Sequence, residues 1–462
     1  MHSKRLLTAP FDTHMTGPQG WERKLFMHSA MRLMAKRRFL PLFATQFLNA
    51  FNDNLFKMAM VILATYTILD GGEAEEAYYN AMAGAIFILP FFLLSAVAGQ
   101  IADSSDKMRV IRIIKTAEIG IMIVGAAGIW LHSISLMFVA LFAMGVHSTF
   151  FGPIKYGILP QHLPADEVLG GTGLVEAGTY MAILSGTIAG GIIPGHWAAL
   201  AVIGVAIIGR LTAQYVPSAP PEDDAPILNI DWNIVRSSWR LVADTMHIRR
   251  LFLAIMAISF FWAIGAVLVA QFPPMVKNGL GGDNSVATTF TAIFSVGVAI
   301  GSVAINWLLG GKVSAKYAPI SVIGMGLFVL LLWWAVKGWV PLSQGLIGWQ
   351  QFLVSGQGDL IIAALFGIAI TGGMFVVPLY AFLTTTVHKS QTSRTIAANN
   401  IVNSAAMVIG AGLYALLAAI GVSTADTLFL VAAACLVSAW IAQRLHLACD
   451  NGAKGKEACD HA

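Results

Sequence analysis

Four polar residues of the first long apolar run, Gln46, Asn49, Asp53 and Lys57, follow one another at steps of 3, 4 and 4. Helical residues at those steps share one face, so this run presents a stripe of two amides, a carboxylate and an ammonium. Asp53 falls midway between Phe39 and Thr67, near the middle of a membrane span. Lys57 lies one turn, about 6 Å, further out. A charge in the bilayer core costs about 2.5–3.5 kcal/mol on the insertion scale, and such residues mark ligand paths or proton relays by default. Two readings of the pair stand. Asp53 and Lys57 neutralise each other at (i, i+4), or they face a cavity and meet a ligand. The second is preferred, because a purely structural ion pair can be replaced by apolar residues without loss.

Further intramembrane polar groups follow. Lys155 ends a span in Gly152-Pro153-Ile154-Lys155-Tyr156-Gly157-Ile158-Leu159-Pro160, and Glu176 lies about two turns into the next span. Both fall in the inner half, so a salt bridge between them is expected, serving either packing or gating. Glu118, in the third span, has no assignable partner, and His147 reads as a satisfied core histidine rather than a relay. Asn399, Asn400 and Asn403 supply amide hydrogen bonds without charge, suited to helix packing or to contact with a polar head. After the second span, Gly99, Asp103, Lys107 and Arg109 mark a tight inner turn. There Asp103 can accept from the start of a neighbouring helix, while the cations hold the loop at anionic headgroups. The role is gating.

Enzyme chemistry has no motif behind it. No HExxH, CxxC or phosphate loop occurs, and three scattered cysteines (Cys435, Cys449, Cys459) build neither a disulfide framework nor a metal quartet. No catalytic residue, cofactor or metal ligand is assigned.

The elements that must carry these residues are membrane helices. Of 462 residues 57% are hydrophobic and 11% charged, with mean hydropathy +0.73. That is under half the charge of a soluble domain, so lipid must solvate much of the chain. The net charge of +4 says nothing of nucleic acid, which is not a partner here. Met1 to Arg38 is basic and lacks the pattern of a secretory signal. Runs of about 20 apolar residues number twelve, at 39–67, 80–102, 109–131, 134–156, 170–194, 197–216, 249–274, 285–310, 317–336, 358–381, 395–420 and 424–445. With both termini placed inside, 25 of the 28 Lys and Arg fall in inner segments, and Lys277 and Lys337 alone lie in outer loops. The remaining one, Lys57, is within the first span.

The expected organisation is therefore an all-α polytopic membrane protein with twelve transmembrane helices in two halves. A basic cytoplasmic segment 1–38 precedes a six-helix bundle 39–216. A cytoplasmic linker 217–248 joins it to a second bundle 249–446, and a cytoplasmic tail 447–462 follows. The linker opens with Pro217, Pro220, Pro221 and Glu222-Asp223-Asp224. Trp232, Val235, Trp239, Val242 and Met246 then recur at helical steps opposite Arg236, Arg240 and Asp244, an amphipathic helix for the inner membrane surface. A 6 + 6 layout of this kind is that of major facilitator transporters.

Four stretches carry a closer likeness. They are Gln46 to Asn54 (QFLNAFNDN), Gly152 to Pro160, Leu174-Val175-Glu176-Ala177 with Ala182-Ile183-Leu184, and Arg394 to Asn403 (RTIAANNIVN). Through them the chain resembles the bacterial lysophospholipid transporters of the major facilitator superfamily. The turn Gly99 to Arg109 resembles that superfamily's inner-loop signature, with Ser104 where a basic residue usually follows the Asp. The resemblance implies a non-enzymatic, multi-pass protein of the bacterial inner membrane working by alternating access. It implies transport of lysophospholipids, such as lysophosphatidylethanolamine and lysophosphatidylglycerol, to the inner leaflet for reacylation. Asp53 and Lys155 would then be head-contacting or gating residues, with Glu176 and Asn399 as supports. Some family members carry a fused acyltransferase. This chain ends 17 residues after the last span, so a separate cytoplasmic acyltransferase is the implied partner, beside membrane lipids. The seventh span is free of charge from Leu251 to Val276, so a cation for the phosphate must come from Lys57 or Lys155. Two other functions remain open: a proton-coupled exporter of hydrophobic compounds titrating Asp53 or Glu118, and a non-transporting scaffold for an acyltransferase.

Overall fold

The computed structural model describes residues 32–68, 73–222, 230–340 and 345–460. The basic segment up to residue 31 and Asp223-Asp224 lie outside the described residues. Twelve helices of 19 residues or more are present among the described residues. The first six are α1 (Leu40–Leu63), α2 (Glu73–Ser104), α3 (Lys107–Trp130), α4 (Ile134–Gly157), α5 (Ala165–Ile192) and α6 (Gly195–Ala213). After the linker come α7 (Arg249–Pro274), α8 (Asn284–Leu309), α9 (Ala318–Lys337), α10 (Gly356–Thr386), α11 (Thr392–Ala419) and α12 (Thr424–Asp460). Nine of them are long and apolar enough to cross a membrane. The other three, α1, α3 and α5, carry Asp53, Lys57, Lys115, Glu118 and Glu176, and these residues lower their hydropathy.

Local signals set the helix ends. Pro41 sits in the first turn of α1, where its missing N–H costs nothing. Pro194 stands between α5 and α6 and breaks the run that the sequence leaves almost continuous. Gly310 and Gly311 end α8 with φ of 57° and 80°, a left-handed conformation that favours glycine. Asp106 caps α3 by accepting from the Met108 amide at 3.0 Å. It also holds the start of the linker through the Ser218 hydroxyl at 2.7 Å and the Ala219 amide at 3.0 Å. Burial pushes the Asp106 carboxyl up, but these three donors and the Arg109 charge outweigh it and hold it below the usual range. α12 continues to Asp460, so most of the expected tail is helical; no proline interrupts it there.

Packing then determines which faces are enclosed. α1 lies along α5 and α6, and α2 along α4; in the second half α8 lies along α10, and α7 along α11 and α12. The halves meet where α2 runs beside α11 and α5 beside α8. A Cβ on Gly186 or Gly190 of α5 would stand 2.4–2.5 Å from the carbonyl oxygens of Phe51 or Leu55. Only glycine allows that approach, and it holds α1 close along α5. The linker helix Ile234–Met246 packs on α2, α11 and α7. It is tied there by the Asp231 amide, which donates to Gln100 at 2.9 Å. Ser237 and Thr245 face the bundle, while Trp232, Val235 and Trp239 point outward and are exposed.

Candidate functional site

The stripe of α1 divides its residues between packing and a cavity. Gln46 is buried against α5: its amide donates to the Val175 carbonyl at 3.3 Å and its oxygen accepts from Thr179 at 3.0 Å. Asn49 donates to Asp53 Oδ2 at 3.3 Å, and the Ser148 hydroxyl of α4 donates to the same oxygen at 2.7 Å. Asp53 Oδ1 is buried with no hydrogen-bond partner among the described residues. The mutual Asp53–Lys57 ion pair, the less favoured of the two readings, does not form within 4.0 Å among the described residues. Lys57 Nζ instead lies 5.8 Å from the centre of the Phe87 ring on α2.

That cavity, about 280 Å3, lies between the halves and is lined by Asp53, Lys57 and Lys155 on one side. Trp262 of α7, Tyr380 of α10, and Asn400 and Asn403 of α11 face them. The neutral side is a connected set. Trp262 Nε1 donates to the Tyr380 hydroxyl at 2.9 Å, and Asn403 Nδ2 reaches the same oxygen at 3.4 Å. Ser259 donates to Asn403 Oδ1 at 2.7 Å. Tyr380 stacks on Tyr156 across the halves, with ring centres 4.7 Å apart and planes 9° from parallel.

The Lys155–Glu176 salt bridge expected from the sequence is corrected. Glu176 accepts instead from the Tyr156 hydroxyl, and Lys155 Nζ stands 4.8 Å from the centre of the Tyr156 ring. The tyrosine intervenes and satisfies the carboxylate, leaving the ammonium on an aromatic face, where cation–π attraction holds it. Lys155 therefore lines the central cavity rather than reaching the inner headgroups. Neither Lys57 nor Lys155 makes an ion pair within 4.0 Å among the described residues, so both cations stay available to an anion.

A second polar cluster lies behind Asp53. Glu118, expected to lack a partner, forms an ion pair with Lys115 on its own helix and accepts from Asn52 Nδ2 at 2.9 Å. Lys115, assigned to the inner loop by charge counting, is wholly buried within α3 and also donates to Asn49 at 3.4 Å. His147 Nε2 approaches Glu118 at 3.5 Å, and its Nδ1 has no hydrogen-bond partner among the described residues. It is thus not the satisfied core histidine of the sequence reading. Asn52, Lys115, Ser148, Tyr156, Trp262 and Tyr380 were all missed as site residues. Lys115 and Glu118 at (i, i+3) inside one span were the readable signal; the aromatics had none.

At the inner ends the halves are latched. Asp103 accepts from the backbone amides of Ser393 and Arg394, each at 3.0 Å, and from Arg394 Nε at 3.3 Å, which caps the start of α11. A Cβ on Gly99 would stand 2.6 Å from Ala397, so α2 and α11 touch there. Arg109 is exposed, whereas Lys107 is 1% exposed beneath the linker. Lys107 therefore cannot hold the loop at the headgroups. Asn399, beside this contact, is buried with neither amide atom hydrogen-bonded among the described residues, and it does not line the cavity.

With this geometry in place, the comparisons with known proteins are decisive for the family. The model of the Major Facilitator Superfamily matches residues 42–411. The chain belongs to the Major Facilitator Superfamily. Curated relatives include the lysophospholipid transporter LplT of Enterobacter sp. (strain 638), 28% identical over 81% of this chain and 87% of that protein. The LplT of Escherichia coli O9:H4 (strain HS) is 28% identical over 87% of this chain and 94% of its own length. Among solved structures, the human organic anion transporter MFSD10 (TETRAN) superposes with a TM-score of 0.70 at 11% identity, covering 88% of this chain and 99% of that one. The Escherichia coli fucose:proton symporter FucP gives 0.66 at 10% identity, over 88% and 98%. These two structures share the fold. The chain is accordingly a multi-pass membrane protein of a transporter superfamily.

Proposed function

We propose that this protein moves lysophospholipids, such as lysophosphatidylethanolamine and lysophosphatidylglycerol, across a bacterial inner membrane to the inner leaflet. A separate cytoplasmic acyltransferase then reacylates them. The observation that carries the reading is the charge pattern of the central cavity. Among the described residues Lys57 and Lys155 rest on aromatic faces without a carboxylate within 4.0 Å, and Asp53 Oδ1 has no hydrogen-bond partner. A phosphodiester matches the two cations, and an ethanolamine ammonium matches the free carboxylate oxygen. The bacterial relatives named for lysophospholipid transport, at 28% identity over most of both chains, support the same substrate class. Asp103, Gly99 and Arg394 act as the inner gate in this scheme. The bundles 39–216 and 249–446, with both termini cytoplasmic, move as its two halves.

Proton-coupled export of hydrophobic compounds is the second reading. It is favoured by the buried Lys115–Glu118–His147 cluster, which reaches Asp53 through Asn49. Uptake of labelled lysophosphatidylethanolamine into proteoliposomes, with and without a proton gradient, separates the two. Uptake that persists without the gradient supports the first reading. Strict dependence on the gradient supports the second, and the absence of any uptake overturns the first.

A further inference from the structure

The first half holds another cavity, of about 1110 Å3, between α2, α3, α4 and the start of the linker. Among the described residues it shares no lining side chain with the polar cavity. Along α3 its wall is Arg109, Ile113, Ala117 and Ile121, at steps of four and so on one face. α4 supplies Phe142 and Val146 at the same spacing. Ile113 and Phe142 are 69% and 41% exposed, so the cavity is a slot open sideways to the bilayer. From Arg109 to Ile121 it rises about 18 Å, at 1.5 Å per residue. One leaflet of a hydrocarbon core about 30 Å thick is about 15 Å deep. The slot therefore spans the inner leaflet.

The chemistry of the slot changes along its length. Its inner mouth holds Ser104, Ser105, Asp106 and Arg109, with Ser218 and Pro220 of the linker. Both Asp106 oxygens are already taken, by Met108, Ser218 and Ala219. Arg109 is exposed and makes no ion pair within 4.0 Å among the described residues. Above the mouth, His147 alone of the described lining residues is titratable, and it is buried with Nε2 3.5 Å from Glu118. The rest of that wall is aliphatic or aromatic.

We propose that this slot is a binding site for a phospholipid of the inner leaflet with an anionic head. The phosphate meets the Arg109 guanidinium and the Ser104 and Ser105 hydroxyls, and an acyl chain lies between α3 and α4. A guanidinium holds phosphate through charged hydrogen bonds, and basic pockets between spans on the cytoplasmic side take anionic heads. The chain covers Ile113 and Phe142. With Asp106 committed to the linker, no carboxylate at the mouth is left for an ammonium, which sets the preference against zwitterionic heads. Ser218 and Pro220 share the mouth, so the bound lipid also holds the start of the linker against α3. This site is independent of what the central cavity carries.

The test titrates the purified protein in detergent with phosphatidylglycerol, phosphatidylcholine or inorganic phosphate and follows the melting temperature. A ligand that binds only the folded state raises it. Phosphatidylglycerol should do so saturably, and the other two should do little at the same concentration. Arg109→Gln changes an exposed side chain, and it should move the midpoint of that titration about tenfold to higher lipid, the scale of one charged hydrogen bond. Ala143→Trp, at a half-buried position of the wall, fills the slot and should act in the same direction. Lys155→Ala alters the central cavity and should leave the midpoint where it is. In the unmodified protein, phosphatidylglycerol with a diazirine at its tail end should label α3 and α4, a readout that needs no variant to fold. Equal shifts with phosphatidylcholine, or a shift with inorganic phosphate alone, overturn the proposal. So does a midpoint that moves with Lys155→Ala and not with Arg109→Gln, or labelling confined to helices other than α2, α3 and α4. None of these outcomes bears on lysophospholipid uptake, which tests the reading of the central cavity separately.

Discussion

The two halves of the molecule present opposite chemistry to the same cavity. The first half contributes Asp53, Lys57 and Lys155 and keeps Lys115, Glu118, His147 and Glu176 behind them. The second half answers with Trp262, Tyr380 and Asn403, neutral groups linked by hydrogen bonds, and with Asn400, and has no charge in α7 between Leu251 and Pro274. The difference teaches a division of labour within one fold. Charge is concentrated where α1, α3 and α4 can support it, each ionised group backed by an amide, a hydroxyl or a ring. The opposite wall stays uncharged, so it can move against a charged ligand without breaking ion pairs. Between the halves Tyr156 stacks on Tyr380, and at the inner ends Asp103 caps the start of α11, tying polar groups of the two sides.

Breaking the charged side at its support should give the largest effect. Lys115→Met leaves Glu118 buried without its cation, and losing one partner of a buried pair costs about 3–5 kcal/mol. The variant should show a clearly lower melting temperature in detergent, and Lys115→Met with Glu118→Gln should recover most of it. A double variant no more stable than the single would mean that the pair does not hold the wall.

Lys155→Ala comes next. It should insert normally yet lose about tenfold or more of lysophospholipid uptake, since a hydrogen bond to a charged group contributes about 1.5–3 kcal/mol. Both headgroups should suffer, because the phosphate is common to them. Unchanged uptake would remove Lys155 from the site.

On the neutral side, Trp262→Phe deletes one donor to the Tyr380 hydroxyl but leaves that of Asn403. A loss of about 0.5–1.5 kcal/mol is the usual scale for one neutral bond. Uptake should fall only severalfold, and a fall as deep as that of Lys155→Ala would erase the contrast between the halves.

Much of the charged side was legible in the sequence. A 3-4-4 spacing identifies the α1 stripe because helical periodicity alone decides which residues share a face. Partners were harder to read. Lys155 and Glu176 are close in depth, but Tyr156 stands between them, and only packing reveals an intervening ring. Lys115 was counted as a loop cation because it lies near the start of a span, where spacing alone does not separate the end of a loop from a buried turn. Tyr380 and Trp262 look in sequence like any other membrane aromatics.

The most direct test of the central claim concerns Asp53. Uptake of lysophosphatidylethanolamine and lysophosphatidylglycerol should be measured for Asp53→Asn, Lys57→Gln and the double variant, at matched expression. Among the described residues Asp53 lines the cavity, its Oδ1 is buried with no hydrogen-bond partner, and it makes no ion pair with Lys57 within 4.0 Å. The account therefore predicts that Asp53→Asn reduces ethanolamine-lipid uptake about tenfold or more, the scale of a charged hydrogen bond. Glycerol-lipid uptake should fall less, and the double variant should stay inactive. Full recovery in the double variant would contradict the account, because Asp53 would then serve only to neutralise Lys57.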